Sequence, residues 1–182
     1  MTKPEFLQQV KFDQPTVFIM RGLPGSGKST IYHRLVKKYF TENPCHKSTI
    51  HCSADNYWTA IDGSYKFDLT RVPQSHHFCL RVFCEHGMRM SHLIFLDNTN
   101  TSLWEFSHYV KIAEAYDYKT VIITLNISVE TALARNIHNV PEKTIRNMYK
   151  RLNDVDNNLK LNAFCREHKI EQFSITKCLT LN

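Results

Sequence analysis

Apolar positions along this chain fall into two kinds of run. Val17-Phe18-Ile19-Met20 within Thr16–Met20, Leu93-Ile94-Phe95-Leu96 within Ser91–Leu96, and Val121-Ile122-Ile123 within Lys119–Leu125 are short and apolar without alternation. Runs of that kind predict strands covered by helices on both faces. Ser48-Thr49-Ile50-His51-Cys52, short and rich in β-branched residues, predicts a further strand, and Glu171–Thr176 a last one. Between them the pattern turns helical. Helices are predicted over Lys28–Phe40, from Pro73 to about His86, from Ser102 to about Tyr116, over Ser128–Asn136 and over Pro141–Leu159. In the last, Ile145, Met148, Tyr149, Leu152, Val155 and Leu159 recur at three- and four-residue spacing and predict one long buried stripe. In the second, His76, Leu80 and Phe83 share a face, with Cys79 alongside. Ser102-Leu103-Trp104-Glu105 reads as a capping box. Residues 1–15 read as a lead-in with a helical turn at Glu5–Val10, and Ile61–Leu69 as a loop turning at Asp62-Gly63. The alternation predicts a single α/β domain over residues 16–182, without repeats or linkers.

The stretch Arg21-Gly22-Leu23-Pro24-Gly25-Ser26-Gly27-Lys28-Ser29-Thr30 joins the first strand to the first helix with the spacing G-x-x-x-x-G-K-S. Its glycines let the backbone come close to an anion, which the N-terminus of the next helix also attracts. Lys28 would reach the β- and γ-phosphates of a nucleoside triphosphate, and the Ser29 hydroxyl would ligate Mg²⁺. Asp97 closes the apolar run Leu93–Leu96 as a Walker B carboxylate does, positioned to hold Mg²⁺ directly or through water. Asp55 leaves the end of the second strand, where ligands of open α/β sheets bind. It reads equally as the N-cap of a short helix over Asn56–Ala60. Lys143, Arg146, Lys150 and Arg151 lie off the buried stripe, on a face that is either solvated or turned to phosphate.

At 182 residues, with 42% apolar and 22% charged residues, the chain has room for one soluble domain with a proper core. A net charge of +6 suits polyanionic partners, but no Lys/Arg block chooses between nucleotides and nucleic acids. No apolar run approaches the ~18 residues of a membrane span, and Met1-Thr2-Lys3-Pro4-Glu5 has no signal-peptide character. An intracellular protein, cytoplasmic or nuclear, is expected. The six cysteines form no C-x-x-C pair and are expected as free thiols, several in the core. His76-His77-Phe78-Cys79 and Cys84-Glu85-His86 fall on one helix and point in different directions, so no structural metal is expected there.

Taken together, these motifs resemble the P-loop family of 5′-hydroxyl polynucleotide kinases of the phage type. Within it the likeness is to the eukaryotic kinase-like domains related to 2′,3′-cyclic nucleotide phosphodiesterase. The matching residues are the glycine-rich loop, Ser53-Ala54-Asp55-Asn56-Tyr57, Tyr65-Lys66-Phe67-Asp68, Ser75-His76, Asp97-Asn98-Thr99-Asn100, Arg135-Asn136-Ile137-His138-Asn139-Val140-Pro141 and Ile145-Arg146-Asn147-Met148. The resemblance implies a P-loop NTPase three-layer sandwich, with a mainly parallel sheet of about five strands and a helical lid over residues 128–145. It implies transfer of the ATP γ-phosphate to the 5′-OH end of RNA or DNA, with Asp55 as general base. Lys28 and the lid residue Arg135 would stabilise the transferring phosphate. Gly22, Pro24, Gly25, Ser26, Gly27, Lys28, Ser29, Thr30, Arg135 and Arg146 would hold ATP. Ser29 and Asp97 would hold Mg²⁺, while Asp55, Trp58 and His76 would face the acceptor.

Two positions depart from the phage pattern. Trp58 stands where an arginine grips the acceptor's phosphate, so it either stacks on an acceptor base or packs in the core. The lid lacks the second arginine, which leaves Arg135 with Arg146 or Arg151 behind it. A small-molecule or nucleotide-sugar kinase of zeta-toxin type shares the loop and the Asp base. An ATP-binding module with little turnover shares only the loop, having no use for Asp55.

Overall fold

The computed structural model describes residues 2–44, 48–59, 66–87, 91–137 and 139–176. The turn at Asp62-Gly63, Tyr65, Cys45, His138 and Cys178 lie outside them. Five strands, β1 (Thr16–Gly22), β2 (Thr49–Cys52), β3 (Leu93–Asp97), β4 (Lys119–Leu125) and β5 (Glu171–Ile175), form one sheet in the order β2-β3-β1-β4-β5. Every pair is parallel. The helices are α1 (Lys3–Gln9), α2 (Lys28–Glu42), α3 (Val72–Val82), α4 (Ser107–Ala115), α5 (Val129–Ala134), α6 (Glu142–Asn153) and α7 (Val155–Glu167). This is the α/β P-loop fold.

Both sheet faces are covered, which is why β1, β3 and β4 carry apolar residues throughout. Val17, Ile19, Ile94 and Leu96 face a core built with Cys79 and Phe83, Val110 of α4, and Leu161 and Cys165 of α7. Phe18, Met20, Leu93 and Phe95 point the other way, against Ile31, Leu35 and Tyr39 of α2. A third cluster joins Leu23 of the loop to Val129, Ala132, Ile145 and Leu152 of α5 and α6. Cys52, Cys79 and Cys165 are buried free thiols and Cys84 is a half-buried one.

The lead-in is part of the core rather than a detached arm. Thr2 and Glu5 form a capping box for α1, and Phe6, Val10 and Phe12 are buried, with Phe6 set edge-on to Phe173 of β5.

Four local expectations are corrected. The predicted helix Pro141–Leu159 is two helices, broken where Asp154 takes extended backbone and its carboxylate accepts from the Asn157 N–H at 2.7 Å. Asn153-Asp154 favours a cap over a continued helix. The buried stripe is therefore Ile145 and Leu152 with Met148 half-buried; Tyr149, Val155 and Leu159 are exposed. The buried face of α3 carries Ser75 and Cys79 and continues to Phe83, leaving His76 outside. Ser102 makes no side-chain cap. Glu105 instead accepts from the Thr101 N–H at 2.8 Å and its hydroxyl at 3.1 Å, so a short 3-10 turn, Leu103–Glu105, precedes α4. Asp55 is not a cap either: Ser53 caps the 3-10 turn Ala54–Tyr57, its hydroxyl accepting from the Asp55 N–H at 3.2 Å.

Candidate functional site

The carboxyl ends of β1, β2 and β3 lie side by side, and the candidate residues leave from them. Register places Met20 beside Asp97 and Cys52 beside Leu96, so the glycine-rich loop, Asp97 and Ser53-Ala54-Asp55 leave neighbouring strand ends. The loop wraps the N-terminus of α2, whose N-cap is Gly27. Gly22 has to lack a Cβ, which would stand 2.8 Å from the Leu125 carbonyl of β4. Pro24, Gly25, Ser26 and Thr30 lie in this same turn and first helical residues.

Asp97 sits at the centre, 6% exposed, on the α2 side of the sheet. Its Oδ2 accepts a hydrogen bond from the Ser29 hydroxyl at 3.0 Å and lies 3.1 Å from His51 Nε2. The His51 ring is stacked on Tyr32 of α2, with centroids 4.4 Å apart. Burial alone would raise the Asp97 carboxyl. The His51 hydrogen bond, the Lys28 charge and the Ser29 hydroxyl outweigh it and hold the group below the ordinary carboxylate range. A serine hydroxyl and an ionised carboxylate at this spacing are oxygen donors of the kind that magnesium takes.

Lys28 donates to the carbonyls of Gly22 at 3.2 Å and Leu23 at 2.9 Å, lying back over its own loop. Burial lowers its affinity for a proton, and the charges of Asp97 and Asp55 oppose that shift. Asp55 is itself exposed, on a turn fixed by its neighbours: the Ser53 hydroxyl donates to the Asp97 carbonyl at 2.9 Å, and the Ala54 N–H donates to the Asn98 side chain at 2.9 Å. Both carboxylates are thus close enough to Lys28 for its ammonium to feel them.

The segment expected as the lid meets the loop through Leu23, packed with Val129 and Ala132, and again beside Gly25. A Cβ on Gly25, whose φ is +73°, would come within 2.9 Å of the Arg135 Cβ. Arg135 closes α5 and is exposed. Arg146 is also exposed and donates to Glu142 at 2.7 Å, while Arg151 donates to the Thr101 hydroxyl at 3.0 Å. Trp58 is 6% exposed, edge-on to Tyr57 and Phe67, so of its two readings packing is the one the side chain adopts. His76 lies on the outer face of α3.

Three supporting residues were given no role in advance, and only His51 lies outside every matching motif. His51 orients Asp97. Asn98 ties the turn carrying Asp55 to α3, accepting from Ala54 and donating to the Cys79 sulfur at 3.5 Å. Arg21, buried, donates to the carbonyls of Asn100 at 3.1 Å and Thr101 at 3.2 Å, fixing the strap that follows Asp97. A polar residue inside an apolar strand was the available signal for His51 and Arg21.

A family model for an AAA domain, AAA_33, matches residues 17–153. Human NEDD4-binding protein 2 is 31% identical over 134 residues, 71% of this chain and 7% of that protein. The 2′,3′-cyclic-nucleotide 3′-phosphodiesterase of Rattus norvegicus is 34% identical over 108 residues, 59% of this chain and 23% of its own length. The chain therefore spans less than a quarter of either relative. A chain of the Pnkp1/Rnl/Hen1 RNA repair complex shares the fold, with a TM-score of 0.58 at 16% identity over 83% of this chain and 48% of its own.

Proposed function

Since the chain belongs to the AAA_33 family and has a P-loop kinase-like domain, we propose that it is an ATP-dependent kinase acting on the 5′-OH end of a polynucleotide. One observation carries the reading: Asp55 lies on a turn, braced by Ser53 and Asn98, that leaves the end of β2 next to the strand end bearing Asp97 and near enough to Lys28 to act on its charge. A module that only binds ATP has no use for a second carboxylate there. The relatives support the acceptor class, one acting on a cyclic nucleotide by its name and one structural neighbour belonging to an RNA repair complex.

In this mechanism the loop amides and Lys28 hold the β- and γ-phosphates, with Lys28 leaving the Gly22 and Leu23 carbonyls to do so. Ser29 and Asp97 would hold Mg²⁺, which would supply charge neutralisation for the β- and γ-phosphates. Asp55 accepts the proton of the attacking 5′-hydroxyl, whose oxygen bonds the γ-phosphorus as the bond to ADP breaks. Arg135 swings from the rim of the loop onto the transferring group. An intracellular setting belongs to the same proposal.

The test is incubation with γ-labelled ATP, Mg²⁺ and a 5′-OH oligonucleotide. Label should move to the oligonucleotide with wild type, and fail to do so with Asp55→Ala or Lys28→Ala. ATP hydrolysis with no transfer to any oligonucleotide would overturn the acceptor assignment in favour of a small acceptor or a binding module.

A further inference from the structure

A groove of about 590 Å³ opens beyond the strap that follows Asp97, between the start of α4 and the junction of α6 with α7. Trp104 and Lys111 stand on one wall, Arg151 and Lys160 on the other, with Leu103 and Phe164 giving it an apolar lining. Trp104, Ser107 and Lys111 are three and four residues apart, and so are Asp154, Asn157, Lys160 and Phe164. Two helical stripes therefore face each other across it. Trp104 is 75% exposed, whereas Trp58, the other tryptophan of the chain, is packed away.

Charge and shape choose the occupant. Three cations line the groove against one carboxylate, Asp154, which is already engaged in capping α7. An exposed indole beside spaced cations is what a single strand uses: bases stack on the ring while phosphates meet the ammonium groups. A duplex offers no free base face to Trp104. The groove also hangs on the catalytic framework. Thr101 accepts at its hydroxyl from Arg151, and at its carbonyl from Asn157 at 3.1 Å and from Arg21 at 3.2 Å, four residues beyond Asp97.

We infer that this groove binds a stretch of single-stranded polynucleotide through Trp104, Lys111 and Lys160. As the holding site for the acceptor's body it rests on the kinase reading; as a binding site it does not. Binding is measured without ATP, by anisotropy of labelled 12-nucleotide DNA and RNA strands and by quenching of tryptophan emission, to which exposed Trp104 responds. Trp104→Ala should weaken binding about 5- to 150-fold, and Trp104→Phe should restore most of it, separating the ring's role from any loss of fold. Lys111→Glu with Lys160→Glu should weaken binding and flatten its salt dependence by roughly 1.4 in log–log slope, at about 0.7 for each of two phosphates. Preference for either nucleic acid, or equal binding of both, supports the inference if it depends on Trp104. Unchanged affinity in these variants overturns it, as does equal competition by poly-glutamate, which would mark a site for acidic peptides. If strands bind through Trp104 but wild type transfers no phosphate, the kinase reading fails and the groove stands. If phosphate is transferred while binding and the KM for long acceptors ignore Trp104, the groove fails and the kinase reading stands.

Discussion

Asp97 and Arg135 flank the same loop and are held in opposite ways. Asp97 ends a buried strand, and Ser29, His51 and Ser53 fix its carboxylate and its carbonyl. Arg135 is exposed at the end of a helix of six residues, and the cluster beneath that helix is the smallest of the three buried clusters among the described residues. Preorganised groups stabilise charge without reorganising during reaction, whereas groups over a small core move at low cost. Under the proposed kinase function, the contrast implies a division of labour: the sheet side would set where the phosphates lie, and the lid would decide when the reaction proceeds.

Arg135→Ala should break that contrast most sharply. If the lid arginine acts on the transferring phosphate, kcat falls on the order of 10³-fold or more while ATP affinity changes little. Single-turnover transfer alongside nucleotide titration separates the two; a loss of ATP affinity with kcat intact would assign Arg135 to the resting cradle instead. Asp55→Asn should follow, lowering transfer about 10²-fold or more with ATP still bound, since the amide keeps the shape but takes no proton.

The same contrast governs what could be read from the sequence. β1, β3 and β4 were legible because burial on both faces leaves only apolar residues, and the glycine-rich loop because its spacing is dictated by phosphate. Asp97 could be placed beside Ser29 because both follow from strand ends. Elsewhere the chain was misread where tertiary partners decide. Val155 and Leu159 fit a helical period yet face solvent, because Asp154 ends one helix and starts another. Trp58 stood where a ligand contact was conceivable, and neighbouring aromatic rings hold it instead. His51 left no trace beyond being polar in a short strand, since its value depends on Asp97 one strand away.

His51→Ala tests how much of the preorganisation is the histidine's. With the imidazole gone, Asp97 keeps its burial but loses a hydrogen bond, and Mg²⁺ dependence of transfer should rise about 10- to 100-fold. An unchanged Mg²⁺ requirement would mean that Ser29 and Lys28 suffice to hold the carboxylate.

The smallest effect should come from Gly25→Ala, where the loop passes close to Ala132 and Arg135. Alanine there adopts a left-handed conformation at a cost of about 1 kcal/mol, and its methyl meets Arg135 Cβ at 2.9 Å and the Ala132 carbonyl at 3.2 Å. The loop is tied to Leu125 and to the Thr99 carbonyl through Gly22, so the lid end is the partner able to yield. Melting temperature should drop modestly, and the rate of transfer should fall more than ATP affinity, because the displaced residue is Arg135. Equal losses in both would show that the loop, rather than the lid, had given way, and would erase the distinction between the two regions.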